Sequence, residues 1–235
     1  MPSAADLLDA YALPGRSAPL VRMNFVASAD GAATLGDRSG ALGGETDRTL
    51  MEVLRALSDV VVVGAGTVRA EGYGGMRVGD DLAAWRSEHG LPTQPRLAVV
   101  TGRADLDPAD PFFAGAVTTP IVITSGHAPA ERLHALEDVA DVLRCGERAV
   151  DLALMRTMLA ERGLAQILCE GGPGLFGALV ADGLVDELCL TLSPTLAGGD
   201  AGRILQGAAE EERAMALVHA ITDDEGFVFL RYRMR

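Results

Sequence analysis

Basic side chains are scarce in this sequence. Lysine and arginine together number 20 against 33 aspartates and glutamates, for a formal net charge of −13. That balance argues against a general nucleic-acid binder or a protein that docks on anionic membranes, since both rely on a basic surface. A phosphorylated ligand would therefore need a local cluster of cations. Long apolar runs are also missing, and none approaches the ~20 residues of a membrane span. The opening Met-Pro-Ser-Ala-Ala-Asp lacks the basic-then-apolar order of a secretory signal, so the expected location is cytoplasmic. Cys145, Cys169 and Cys189 are odd in number and widely spaced, with no C-x-x-C pair. They read as reduced, with Cys169 and Cys189 as small buried apolar residues. His89, His127, His134 and His219 form no H-x-x-x-H pair, so no metal site is expected.

What the chain does have is enough length for one large domain and too little for two typical α/β domains: 235 residues, 49% of them apolar. Residues 1–19 read as a lead-in with a short helix near Ala4 to Ala10, and residues 20–235 as a single domain. Strand-like runs fall at Leu20 to Val26, Val60 to Val63, Arg96 to Thr101, Ile121 to Thr124, a weak edge run at Val139 to Leu143, and Gln166 to Cys169. Helical periodicity lies between them, from Thr46 (Leu50, Val53, Leu54 and Leu57 on one face), at Ala128 to Leu136 and at Asp151 to Arg162. This alternation predicts an α/β fold with a mostly parallel sheet and right-handed crossovers. A further strand is expected within Leu184 to Leu192. The last two runs, Ala214 to Ile221 and Gly226 to Arg233, are too close for a crossover helix and predict an antiparallel hairpin.

The stretch most suggestive of chemistry is Ala165 to Gly177: an apolar strand, the carboxylate Glu170, a glycine-rich turn and a helix start. Backbone N–H groups and the helix dipole at such a junction favour an anion. Gly172, Gly174 and Gly177 also fit G-x-G-x-x-G, a weak match alone, and a turn that uses glycine only to reverse direction is the alternative. Asp30-Gly31 follows the first strand, where Asp30 either meets a ligand or shapes the turn. Gly64 to Arg69 repeats the strand, small turn and helix pattern, with Thr67 able to offer a hydroxyl and an N–H. Arg103 follows the third strand, placed to meet a phosphate or simply to be solvated. Arg55 lies on a helix, where an ion pair with Glu52 or Asp59 is the bland reading.

Four motifs in register, Ala27-Ser28-Ala29-Asp30-Gly31, Val63-Gly64-Ala65-Gly66-Thr67-Val68, Cys169-Glu170-Gly171-Gly172-Pro173 and Gly183-Leu184-Val185-Asp186-Glu187-Leu188, resemble the pyrimidine reductase family of riboflavin biosynthesis. The resemblance covers roughly residues 20 to 233. It implies the dihydrofolate-reductase-like fold and NADPH-dependent reduction of the ribosyl group of 5-amino-6-(5-phosphoribosylamino)uracil to the ribityl form. The alternatives are reduction of dihydrofolate or of the diamino-pyrimidinone ribosyl phosphate, and a non-catalytic nucleotide-binding role. The H-x-E and P-C-x-x-C signatures of the deaminase fused to many members are missing, which implies a stand-alone reductase.

Residue by residue, the resemblance places Ala27, Thr67, Gly102, Arg103, Gly171, Gly172, Pro173, Gly174 and Leu175 at cofactor positions, with Arg103 favouring NADPH. It places Asp30, Arg55, Arg77 and Glu170 at substrate positions. Asp30 and Glu170 are the catalytic candidates, for positioning and proton relay, and Arg55 and Arg77 would pair with the substrate phosphate. Two departures stand out. The loop Gly36 to Gly44 lacks the family's Ser-x-Trp-Ile-Thr segment, and Tyr73-Gly74-Gly75-Met76 replaces an Asp-Pro-containing one. A homodimer is also implied; apolar Phe227, Val228, Phe229 and Leu230 of the closing strands are candidate interface residues, or equally intramolecular core.

Overall fold

The computed structural model describes residues 1–13 and 15–235. Its strands are β1 (Leu20–Ser28), β2 (Val60–Gly64), β3 (Arg96–Val100), β4 (Ile121–Thr124), β5 (Asp141–Arg144), β6 (Gln166–Cys169), β7 (Glu187–Ser193), β8 (Met215–Thr222) and β9 (Val228–Met234). They form one sheet in the order β5-β4-β3-β2-β6-β1-β7-β9-β8. Every pairing from β5 through β7 is parallel, and β9 pairs antiparallel with both β7 and β8. The expected mostly parallel sheet, edge strand and closing hairpin are all present.

Val60 to Val63 explain why the sheet is buried on both sides. All four are fully buried; Val61 and Val63 enter one core with Leu50, Leu54 and Leu97, whereas Val60 and Val62 enter the other with Met155, Leu159 and Leu179. A parallel strand covered by helices on both faces has no polar side to present, hence the unbroken β-branched run. The first core lies beneath α1 (Ala4–Tyr11), α2 (Glu45–Leu57), α3 (Ala65–Glu71), α4 (Asp80–Glu88), α5 (Pro111–Ala114) and α6 (Ala130–Glu137). The second lies beneath α7 (Leu152–Glu161) and α8 (Pro173–Ala181).

The lead-in segment is built into this core. Ser3 and Asp6 close a capping box at the start of α1, and Leu7 and Tyr11 are fully buried. Below them Glu187 receives Arg22 Nη2 at 2.6 Å and Arg231 Nη2 at 2.8 Å, and the same two guanidiniums reach the carbonyls of Tyr11 (3.1 Å) and Ala10 (2.9 Å). Burying these charges is tolerable because each finds partners. Paired in this way, Glu187 keeps its carboxyl below the usual range: burial pushes it up, and Arg231 and Arg22 more than reverse that.

Three helices go beyond the sequence expectations: α4, the four-residue α5, and the extent of α3. Helix α4 shows why. Its buried residues are Leu82 and Arg86, and Arg86 donates to the carbonyls of Ala56 (2.7 Å), Ser58 (2.6 Å) and Pro92 (2.7 Å). An arginine that caps the end of another helix occupies the inward face, and apolar periodicity does not register it. The three cysteines are free and buried, and burial pushes the Cys169 thiol up to about 12.

Candidate active site

A cleft of about 900 Å³ opens at the carboxyl ends of β1, β2, β3 and β6, where open α/β sheets place ligands. At its wall stands Glu170, one residue beyond β6, its amide bonded to the Val62 carbonyl at 3.0 Å. Arg55 of α2 grips this carboxylate with both arms, Nε to Oε1 and Nη2 to Oε2, each at 2.7 Å. The Tyr73 hydroxyl donates to Glu170 Oε2 at 2.5 Å and accepts from Arg55 Nη2 at 3.0 Å. The pair is largely shielded, with 13% and 5% of the Arg55 and Glu170 side chains exposed. Burial and the neighbouring Glu170 carboxylate raise the Tyr73 hydroxyl well above its ordinary range, so it stays a donor. Burial works against the Arg55 cation, but Glu170 outweighs it and raises its pKa.

The glycine turn after Glu170 packs against the turn after β2. Gly64 N donates to the Gly171 carbonyl at 2.8 Å, and a Cβ on Gly172 would lie 2.6 Å from Thr67 Oγ1. Gly171 has φ of +114°, a region side chains disfavour, and its peptide to Gly172 is cis. Gly172 and Pro173 then open α8, whose first-turn N–H groups at Gly174 and Leu175 have no intrahelical acceptor. A Cβ on Gly66, Gly102 or Gly174 would meet nothing within 4 Å.

The cleft therefore gathers ten of the expected positions: Arg55, Thr67, Gly102, Arg103, Glu170, Gly171, Gly172, Pro173, Gly174 and Leu175. It does not include three others. Ala27 and Asp30 line a separate cavity of about 420 Å³, alongside Leu190, Gly198 and Arg203. The Asp30 carboxylate takes the Ser28 hydroxyl at 2.5 Å and the amides of Ala197 and Gly198 at 3.0 and 2.8 Å, and these hydrogen bonds hold its pKa down at about 2. These bonds tie Asp30 to the loop after β7, as a turn-shaping residue would be tied. Arg77 is exposed and pairs with Asp80 at 2.6 Å, outside the residues that line the cleft. Arg55 is in the cleft, where its ion-pair partner is Glu170 rather than Glu52 or Asp59; Asp59 pairs with Arg16.

Tyr73 and Asp47 are among the cleft residues that the motifs do not mark. Tyr73 sits in the Tyr73-Gly74-Gly75 departure, where a Cβ on Gly75 would lie 2.0 Å from the Gly115 carbonyl, so the chains cross too closely for a side chain. Asp47, Met51 and Arg55 recur every four residues on α2 and share one face toward the cleft. That polar stripe lies beside the apolar stripe from which the helix is recognised. The cations at the cleft are all arginines: Arg48, Arg69 and Arg103 line it besides Arg55.

Comparison with known proteins shows the family to which the chain belongs. The sequence profile of the RibD C-terminal domain matches residues 19–229. The chain belongs to the RibD C-terminal domain family. It is 30% identical over 182 residues to the 2,5-diamino-6-ribosylamino-4(3H)-pyrimidinone 5′-phosphate reductase of Archaeoglobus fulgidus, covering 77% of this chain and 83% of that one. The protein of the same name from Methanothermobacter thermautotrophicus is 30% identical over 202 residues, covering 85% and 89%. Among solved structures, a pyrimidine reductase-like protein from Corynebacterium diphtheriae superposes with a TM-score of 0.86 at 28% identity, covering 97% of this chain and 98% of that one.

Proposed function

We propose that this RibD C-terminal domain protein reduces the ribosyl group of a 6-ribosylaminopyrimidine 5′-phosphate to the ribityl form, with NADPH as reductant. The observation that carries this reading is the Glu170, Arg55 and Tyr73 cluster abutting the Gly171 to Leu175 turn in one cleft. The names of the stand-alone relatives support it. When bound, NADPH supplies the hydride that turns C1′ of the opened ribose into a CH2 group. The residues suit that cofactor. Gly174 and Leu175, whose first-turn amides have no intrahelical acceptor, line the cleft and suit a pyrophosphate, and the side-chain-free Gly66, Gly102 and Gly174 leave room for close approach. Glu170, held by Arg55 and Tyr73, is a fixed carboxylate that orients ribose hydroxyls or ring amines; its engaged oxygens suit positioning better than proton delivery. A spectrophotometric NADPH-oxidation assay with pyrimidine ribosyl phosphates tests the reading, and no oxidation with any of them would overturn it.

Arg103 is exposed at the cleft rim next to Gly102, near Arg69. We assign it to the adenosine 2′-phosphate, which only NADPH carries. Arg103→Ala is expected to weaken NADPH about 10-fold or more while leaving NADH nearly unchanged, as loss of a charged hydrogen bond costs about 1.5–3 kcal/mol. Calorimetric titration with both cofactors checks this.

A homodimer is also part of the proposal, through the free edge of β8. Phe227 and Phe229 are 8% and 0% exposed and belong to the core. Three exposed apolar residues, Met215, Leu217 and Val218, lie together on β8, an edge strand whose free side offers unpaired backbone groups to a second copy. Light scattering is expected to give twice the chain mass of 24.5 kDa, and Leu217→Lys to lower it.

A further inference from the structure

Asp47 is the one carboxylate of the cleft whose surroundings do not account for it. Glu170 is held by Arg55 and Tyr73, Glu71 takes the amide and hydroxyl of Ser39 at 3.1 and 3.0 Å, Asp105 pairs with Arg132 at 3.5 Å, and Asp37 is exposed. Asp47 is half-buried and forms no ion pair among the described residues. Leaving such a group only partly compensated is unfavourable, and sites that persist at a cost to stability are commonly functional. Its orientation is constrained: a Cβ on Gly43 would lie 2.6 Å from Asp47 Oδ2, so the carboxyl packs on the bare Gly43 backbone. Across from it, Asn24 and Val26 pair in register with Cys189 and Thr191, which places Asn24 and Thr191 on the sheet face that α2 covers. Burial lifts the Asp47 carboxyl above its ordinary range, and the Thr191 hydroxyl and the Arg48 cation offset part of that shift. Cys189 lies on the same sheet face, and Tyr11 of α1 is also close enough to feel Asp47: burial pushes the Tyr11 hydroxyl up, and Cys189 and then Asp47 push it further.

We propose that Asp47 is the specificity-determining residue of this reductase, selecting a 2-aminopyrimidine over a 2-oxopyrimidine by accepting hydrogen bonds from the substrate N3–H and 2-amino groups. The inference rests on the reductase reading above. A carboxylate accepts through two oxygens in a fork and donates nothing. A 2-amino-4(3H)-pyrimidinone presents N3–H and an amino N–H side by side, a two-point match with charge assistance. A uracil presents N3–H beside a 2-oxo group, which sets acceptor against acceptor. Sites built around such paired donors reject the mismatched analogue strongly, because a buried group is then left unpaired. When Asp47 is protonated, its O–H can donate to a 2-oxo group. Discrimination therefore weakens as pH falls through the Asp47 pKa.

The test compares kcat/KM for 2,5-diamino-6-ribosylamino-4(3H)-pyrimidinone 5′-phosphate and for 5-amino-6-(5-phosphoribosylamino)uracil. The wild-type chain is expected to favour the diamino compound about 100-fold or more near neutral pH, less at acid pH. Asp47→Asn, whose amide can donate to a 2-oxo group, is expected to bring the ratio within about 10-fold of unity and to abolish its pH dependence, with NADP⁺ binding by calorimetry unchanged. Gly43→Ala, which displaces the carboxyl without removing it, is expected to lower the ratio in the same direction and decides the matter should Asp47→Asn fail to fold. A wild-type preference for the uracil, a ratio near one, or a wild-type ratio retained in the variants overturns the inference and leaves the reductase reading standing. No oxidation of NADPH with either compound overturns both.

Discussion

Glu170→Gln is expected to lower kcat/KM about 100-fold and to cost about 3 kcal/mol of stability. The stability figure follows from what the substitution leaves behind. Arg55 is 13% exposed and makes two 2.7 Å bonds to Glu170, so the variant strands a cation in a shielded site. Breaking a buried pair by removing one partner costs about 3–5 kcal/mol, and a glutamine that keeps one bond puts the expectation at the lower end. The activity figure follows from orientation: Tyr73 and Arg55 together fix the Glu170 oxygens, and misplacing a positioning group by about 1 Å costs on the order of 100-fold. Chemical denaturation and steady-state kinetics separate the two effects. Combining Glu170→Gln with Arg55→Met should destabilise by less than the sum of the single changes, since the double variant has no unpaired charge.

Gly177→Ala is expected to be nearly as damaging, in a place where the usual rule predicts a gain. Inside a helix such as α8, alanine is favoured over glycine by about 1 kcal/mol. Here a Cβ would lie 1.8 Å from the Gln206 carbonyl oxygen, a backbone atom, so the connection between β7 and β8 must move. Overpacking of this kind costs about 1–3 kcal/mol and outweighs the propensity gain. That connection is tied in place by Gln206 N to the Pro173 carbonyl at 3.1 Å, Ala33 N to Gly202 at 2.9 Å and Ala29 N to Thr195 at 2.9 Å. A shift at Gln206 therefore disturbs Pro173, where α8 begins. The variant should melt at a lower temperature and bind NADP⁺ about 10-fold more weakly, a modest loss of one aligned contact. Unchanged melting would mean that the loop yields freely.

The framework was legible because burial on both faces leaves a plain mark: Val60 to Val63 admit no polar residue, and Gln166 to Cys169 run straight into Glu170 and its glycines. Nine of the ten expected cleft residues, all but Arg55, lie at strand ends and helix starts, where local sequence fixes position. What could not be read depends on distance through space. Arg55 meets Glu170 across 115 positions of chain, and nothing local to Arg55 favours that partner over Glu52 or Asp59. Asp30 follows β1 as a ligand residue would, yet amides 167 and 168 positions away claim it. Arg86 hides α4 by filling an inward position with charge, and Tyr73 lies in a glycine-rich loop whose path is set by its crossing with Gly115.

The central claim is hydride delivery to C1′ of a pyrimidine ribosyl phosphate bound beside the Glu170 cluster. Turnover with NADPH deuterated at C4 of the nicotinamide, followed by mass spectrometry of the product, tests it most directly. The account predicts a ribityl product carrying one deuterium on C1′, with none formed when NADPH is omitted. A ribityl product without the label, or NADPH bound and no ribityl product at all, would contradict it.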